Sequence, residues 1–496
     1  MKEFILALDQ GTSSSRAAIF DKEGSVLGLA NKAYDLIFPK SGWVEQNPED
    51  IWSSQMNAID LLFEECSIDP EQIAAIGITN QRETSILWDK TTGKAIYNAI
   101  VWQDRRTAAY CRFLEKNRLG QHIKSETGLL IDPYFSGTKL RWILENVEGA
   151  RELANRGRLL FGTVDAYLLW KMTGGKEHAT DVTNASRTML FNIHALEWDK
   201  RILEVMDIPR QLLPEVKMST DEFGTFAYKG NEIPIKAIAG DQHAALFGQV
   251  CFEEGMAKNT YGTGCFMLMN TGEDKPKNRG KLLNTIAWGI NSKVSYAVEG
   301  SVFIAGAAVQ WLRDGLSLID SVEQTEKFAL ESRKDSRVVL VPAFTGLGAP
   351  YWDSQAKGAI YGLEQNTGRP ELIRATLESL AFQSRDLIDL MENESGYTLR
   401  TLKVDGGASS NNFLMQFQAD ILGKEVIRPA FTESTVFGIA AMVGISLGFW
   451  SQKEISSIVK TDRIFSPMME DFERENRYAN WKSAVSSTMA WKGKAL

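Results

Sequence analysis

The sequence predicts an α/β chain of two related domains with a cleft between them, and three observations predict it. At 496 residues the chain exceeds what one hydrophobic core usually supports, so two or more domains are expected. The N-terminal stretch reads as three strands, a helix and a fourth strand, an α+β or α/β beginning, and with no G-x-G-x-x-G opening a helix it is not a dinucleotide-binding one. Finally, FILALDQGTSSSRAAIF at Phe4–Phe20 places a Gly-Thr turn between two apolar strands, and NTYGTGCFMLMNTGED at Asn259–Asp274 repeats that design. The repeat falls about half the chain later and points to two related halves. The boundary is set near Gly248, giving domains 1–248 and 249–496.

In order, strands are expected at Phe4–Leu8, Arg16–Phe20 and Val26–Asn31, the last two joined by the turn DKEGS. A helix start follows at Asn47, with Pro48 in the first helical position and Glu49 and Asp50 against the positive end of the helix dipole. That helix runs to about Cys66, and a strand covers Ile73–Thr79. In IAGDQHAALFG, Ile238–Gly248, an apolar strand ends at Gly240 and an Ala-rich helix follows Asp241. The second half carries an amphipathic helix beginning near Ser301, a long helix over Arg369–Met391, and a strand, glycine turn and helix over Thr401–Leu422. A last helix covers Met469–Trp491. The uncharged run Ser434–Gln452 is rich in Gly, Ala and Ser and is read as a buried helix rather than a membrane span.

Composition narrows the function. With 44% hydrophobic and 24% charged residues the chain has the profile of a soluble globular protein. A net charge of −8 argues against a nucleic-acid partner, which calls for a basic surface. Cys66, Cys111, Cys251 and Cys265 show no C-x-x-C spacing and are expected to be reduced, as in a cytoplasmic protein. The four histidines form no metal-ligand pattern, and no signal peptide precedes Asp9.

Several motifs carry chemistry. Asp9 ends a strand beside Gly11 and the hydroxyls of Thr12, Ser13, Ser14 and Ser15. A strand-end carboxylate can hold hydrated Mg²⁺ while backbone N–H and hydroxyl groups surround phosphate oxygens. A polar turn capped by Asp9 is the simpler reading of that segment alone; the second Gly-Thr turn favours the phosphate reading. In VDGGASSNN, Gly406 and Gly407 let a backbone pass close to something flat, such as a nucleoside, although an ordinary strand–helix turn also fits. Arg82 and Glu83 follow a strand, either as a solvated pair or as partners for polyol hydroxyls. Trp102 lies near Asp104, Arg105 and Arg106, and Tyr134 sits in a Pro-initiated loop, so these rings could pack against a carbohydrate. Asp241 is either a helix N-cap or a general base at the domain boundary.

Together, DQGTSSSR, GITNQRET, DPYFSGTKLRW, GDQHAALFGQ, NTYGTGCFMLMNTG, PAFTGLGAPYWD and GGASSNNFLMQFQADIL resemble the FGGY carbohydrate kinases, and within them the glycerol-phosphorylating branch. The resemblance runs from Phe4 to about Trp491. It implies two ribonuclease-H-like domains of the actin-like ATPase kind, with ATP, Mg²⁺ and glycerol in the cleft. It places Thr12, Ser13, Ser14 and Arg16 in the first phosphate loop and Thr263 in the second. Gly306, Gln310, Gly407 and Asn411 would hold the nucleoside. Arg82, Glu83, Tyr134, Asp241 and Gln242 would bind glycerol hydroxyls, with Trp102 and Phe266 against its carbons. Asp9 and Asp241 would lie near Mg²⁺, and Asp241 would be the general base. The resemblance further implies a homo-oligomer, dimer or tetramer. A kinase for another polyol or a ketose is the alternative of the same chemistry, and an ATP-driven clamp the alternative of another class. His243 stands where another Gln is expected and is read as structural. The stretch Asp221–Ile235 has no histidine and only Lys229 as a basic residue, so neither phosphocarrier activation nor strong sugar-bisphosphate inhibition is expected.

Overall fold

The structure is a computed structural model that describes residues 2–117, 119–277, 280–353, 355–431 and 433–491. The end of the expected second domain, 492–496, lies outside the described residues.

Among the described residues, two large sheets carry the chain. The first has the order Thr225–Tyr228, Asn231–Gly240, Ile73–Asn80, Phe4–Gln10, Ser14–Phe20, Val26–Ala33. The second runs Thr461–Phe465, Val426–Pro429, Thr401–Asp405, Met256–Tyr261, Cys265–Gly272, Lys293–Val302, Leu283–Ile290. Taken in that direction, both follow one pattern of strand sense: antiparallel, parallel, parallel, antiparallel, antiparallel. The second sheet adds one further antiparallel strand. The repeated Gly-Thr hairpin occupies the same place in each: Phe4–Gln10 with Ser14–Phe20, and Met256–Tyr261 with Cys265–Gly272.

Local chemistry accounts for the elements. The helix Pro48–Glu65 starts where Asn47 accepts the Glu49 N–H at 3.1 Å, with Pro in the first turn, and stops at Cys66. The strand Ile73–Asn80 is buried throughout, as a central parallel strand must be, and reads Ile-Ala-Ala-Ile-Gly-Ile. The long helix extends to Arg369–Ser395 and ends on Gly396 at φ 80°, a left-handed cap. Ser434–Ser446 is helical and buried along most of its length, and no helix among the described residues is long and apolar enough to cross a membrane. One expectation is corrected: Ser301 does not start a helix. It pairs with Phe266 in the ladder, the strand continues to Val302, and the helix spans Gly306–Asp314.

The halves join through exchanged helices. Ser434–Ser446, which follows a strand of the second sheet, lies on Phe4–Gln10, Ile73–Asn80 and Asn231–Gly240 of the first. Asp241–Gly248, which follows a strand of the first sheet, touches Met256–Tyr261, Cys265–Gly272 and Leu283–Ile290. The two helices also pack on each other, so closely that a Cβ on Gly438 would sit 1.8 Å from the Ala244 carbonyl oxygen and one on Gly248 2.1 Å from that of Ser434. Small side chains on the facing sheet, Ala7, Ala18 and Ala75, complete this buried core with Ile439 and Val443. The stretch Asp221–Ile235 supplies the edge hairpin, where Lys229 pairs with Asp60 at 3.5 Å.

Because the neighbour at Gly438 is backbone, it cannot rotate away. Gly438→Ala is therefore expected to cost at least the 1–3 kcal/mol typical of overpacking, read as a melting temperature lowered by several degrees in calorimetry. An unchanged melting temperature would show that the helices separate freely.

Candidate active site

Three parallel strands of the first sheet end side by side. Gln10 is in register with Asn80, and Asn80 with Gly240. The residues at or just beyond those ends are Asp9, Arg82 with Glu83, and Asp241. Side-chain chemistry outside the carboxyl ends of parallel strands is the usual place for a ligand in an open α/β sheet.

Arg82 organises this corner and is almost fully buried. Its Nη1 and Nη2 grip both carboxylate oxygens of Glu299 at 2.6 and 3.1 Å, its Nε lies 3.2 Å from Asp241 Oδ1, and Nη2 reaches the Tyr134 hydroxyl at 3.4 Å. Glu299 comes from the second sheet and also accepts from Arg187 Nη2 at 2.9 Å, while Arg187 Nε donates to Glu83 at 2.7 Å. Glu83 adopts a left-handed φ of 60°, and its carbonyl accepts from Ser136 Oγ and Lys139 Nζ. The two arginines hold Glu299 below its ordinary pKa in spite of burial, whereas burial pushes Glu83 up against the pull of Arg82 and Arg187. Glu299, Arg187 and Lys139 were not singled out from the sequence.

Asp241 is the first residue of its helix, with Gly240 in the cap position. Its Oδ1 accepts the Gln242 N–H at 2.6 Å and faces Arg82, and the Gln242 side chain also acts on the carboxylate as a hydrogen-bond donor. The side chain is 27% exposed. Burial raises its pKa, opposed chiefly by Arg82. His243, next along the helix, is fully buried: Nε2 meets Thr285 Oγ1 at 3.2 Å and Nδ1 has no partner. Burial, then Arg82, Arg187 and Lys258, hold it well below its ordinary pKa, so it is neutral.

The first hairpin loop closes with Gly11 N–H on the Ser14 carbonyl at 2.9 Å, and the second with Gly262 N–H on that of Gly264 at 2.9 Å. Thr12, Ser13 and Ser14 stay accessible, whereas Ser15 turns inward to Gln10 and Ser54. Thr263 is exposed at the tip of the second loop. Trp102 joins the two hairpins: its Nε1 donates to Thr12 Oγ1 at 3.0 Å, and its ring meets Phe266 edge-on at 6.1 Å and Tyr134 at 5.7 Å.

Asp9 is buried and lies opposite Arg16 in the ladder, with Arg16 Nη1 3.8 Å away and also paired to Glu433. Burial raises Asp9 to about 7, against the pull of Arg16, and the nearby charges of Asp241 and Glu433 push it further. A second carboxylate, Asp241, near enough to raise Asp9 suits a cation shared by the two. Among the described residues no group of three or more His, Cys, Asp or Glu is clustered as a metal cage, so phosphate and water would have to complete the coordination of such an ion.

The remaining positions lie on the second sheet's side. Gly306 touches the Gly262 carbonyl so closely that a Cβ would lie 2.6 Å from it, and its own N–H donates there at 3.0 Å. Gln310 is exposed one helical turn later. Gly406, at φ 84°, brings the turn against Tyr261, while Gly407 faces open space. Asn411 caps Asn412–Leu422 through the Leu414 N–H and donates to Thr325 at 3.0 Å, so much of its hydrogen-bonding capacity is already used.

Against known proteins, the FGGY family of carbohydrate kinases, N-terminal domain, matches residues 4–248, and its C-terminal domain matches residues 257–447. The chain belongs to this family. Its curated relatives include a glycerol kinase of Caldanaerobacter subterraneus subsp. tengcongensis, 57% identical over 99% of both chains. Another is glycerol kinase 2 of Thermotoga maritima, 56% identical over 99% of both. Among solved structures, Plasmodium falciparum glycerol kinase with ADP superposes with a TM-score of 0.92 at 35% identity, covering 98% of each chain. The gluconate kinase of Lactobacillus acidophilus shares the fold, with a TM-score of 0.87 at 22% identity over 99% of each chain.

Two expected outcomes follow for this FGGY kinase. Glu299→Gln leaves Arg82 and Arg187 without their shared counter-charge, so a loss of about 3–5 kcal/mol, read by thermal unfolding, is expected. Asp9 titrates at 3.8 when unfolded and about 7 when folded. The folded state therefore binds the extra proton, and its advantage is lost as pH rises from about 4 to 7. In Mg²⁺-free buffer the stability difference between the wild type and Asp9→Asn should change across that window, and a difference constant with pH would show that Asp9 does not titrate there.

Proposed function

We propose that the chain transfers the terminal phosphoryl group of ATP to a terminal hydroxyl of glycerol, with Asp241 as the general base. The observation that carries this is the carboxylate of Asp241: Oδ1 is fixed by Arg82 and the Gln242 N–H, while the side chain stays 27% exposed. A carboxylate held by one oxygen can take a proton on the other without losing its orientation.

The reaction needs a weak nucleophile placed in line with the phosphorus, and little covalent help. Arg82, Tyr134 and Gln242 would set the hydroxyls of glycerol, and the rings of Trp102 and Phe266 would close over its C–H faces. Glu83, turned inward to Arg187, would accept from a hydroxyl only through the capacity that this pair leaves. Thr12, Ser13, Ser14 and Thr263, with the loop N–H groups, would receive the phosphate oxygens. Gly306, Gln310, Gly407 and Asn411 would line the nucleoside side, Asn411 through whatever its cap leaves free. Arg16 would act at the edge of the loop, through Asp9 and Glu433.

Asp9 and Asp241 would hold Mg²⁺, which when bound supplies positive charge to the phosphate oxygens. Domains 1–248 and 249–496, a cytoplasmic location and a homo-oligomer belong to the same reading. The absence of phosphocarrier activation and of strong sugar-bisphosphate inhibition belongs to it too.

Asp241→Asn keeps the shape and the contact with the Gln242 N–H but removes the base. The expected result, at saturating glycerol and Mg-ATP, is kcat lower by roughly 10²–10⁴-fold with an unchanged melting temperature. Near-normal kcat would reject the assignment. A panel of small polyols and ketoses, run beside ATP hydrolysis without acceptor, separates glycerol transfer from the other two readings.

A further inference from the structure

We propose that Lys258 is a positioning residue that fixes the Gln242 side-chain amide, so that Gln242 meets the substrate only as a hydrogen-bond donor. The inference rests on the reading of this site as one for glycerol.

Lys258 lies on the strand Met256–Tyr261 of the second sheet and is fully buried, although an ammonium is among the groups least often found there. Its Nζ donates to Gln242 Oε1, across the boundary between the halves, and to Thr260 Oγ1 at 2.9 Å. Thr260 stands two residues along the same strand and therefore on the same face. The counter-charge is Asp405, in register with Thr260 on the neighbouring parallel strand. Its buried Oδ1 has no hydrogen-bond partner. Arg82, Asp241 and Glu299 also act electrostatically on Lys258, and burial brings its ammonium down to about 8.

The orientation follows from the chemistry of the groups. An ammonium has three donors and no acceptor, so a carboxamide can approach it only through its oxygen. Once Oε1 is committed to Lys258, only the NH₂ of Gln242 remains; one of its hydrogens serves the neighbouring Asp241 carboxylate and the other is offered to the substrate, whose oxygen must accept. An amide free to flip would serve acceptor and donor equally and would select for neither. Lys258 removes that choice from the far side of the cleft without touching the substrate.

The test uses steady-state kinetics of the full chain. Wild-type phosphorylation of glycerol is measured first, because its absence would overturn the assigned reaction rather than the role of Lys258. With that established, Lys258→Met is expected to raise the glycerol KM about tenfold, the scale of one lost oriented hydrogen bond. The ATP KM should stay within about twofold, and Lys258→Arg should recover most of the loss. The double variant Lys258→Met/Gln242→Met should be no worse for glycerol than Gln242→Met alone. If Lys258→Met does not fold, Lys258→Met/Asp405→Asn removes both charges together. Gln242→Glu provides an arm that leaves Lys258 in place: a carboxylate pairs with the ammonium but cannot donate, so the glycerol KM should rise as it does in Gln242→Met. An unchanged glycerol KM in a folded Lys258 variant, additive losses in the double variant, or a wild-type KM in Gln242→Glu would each overturn the proposal.

Discussion

One buried carboxylate sets the geometry of the cleft. Glu299 takes two hydrogen bonds from Arg82 and one from Arg187, and all three side chains are almost out of water. A guanidinium in that position has no rotational freedom left, so its Nε is aimed at Asp241 and its Nη2 at Tyr134. Arg82 and Arg187 belong to the first half and Glu299 to the second. The ion pair is therefore a ruler for the relative placement of the two sheets as well as an anchor for the site. A buried pair of this kind earns little net stability, because desolvation cancels much of the attraction. Its value lies in direction.

The same logic explains why the halves meet through glycine and alanine. The Asp241 carboxylate and the loops at Thr12 and Thr263 must be placed on the scale of hydrogen bonds, and Asp241 begins a helix that crosses to the other sheet. Backbone-to-backbone contact at Gly248 and Gly438 leaves no flexible side chain between the helices to absorb error. Trp102 adds a second brace, with its indole on Thr12 and its ring edge on Phe266.

Much of this was legible in the sequence because turns and strand ends announce themselves. The two Gly-Thr hairpins, the Asn47–Pro48 helix start and the strand-end residues Asp9, Arg82 and Asp241 all break an apolar run where the chain must turn. Part of what remained hidden lies inside the runs. Glu299 stands in VSYAVEGSV and Lys258 in GMAKNTYG, each a single charge within its apolar stretch, with its partner more than ten residues away in sequence. A lone charge among residues that a sheet will bury is itself a signal, since it must find a counter-charge, but the sequence does not say which. Ser301 shows the converse error. The apolar spacing of SVFIAGAAVQW fits a helix, yet cross-strand pairing with Phe266 and Cys265 holds Ser301 and Val302 in the ladder.

The exchanged helix has a consequence for biosynthesis. The face of the first sheet bearing Ala7, Ala18 and Ala75 is covered by residues 434–446, which leave the ribosome long after that sheet's last strand, Asn231–Gly240. At ~5–20 residues per second the nascent chain carries this apolar surface bare for roughly 10–40 s. The first half thus emerges as an unfinished body, exposed to chaperones and to neighbouring nascent chains until its lid is translated.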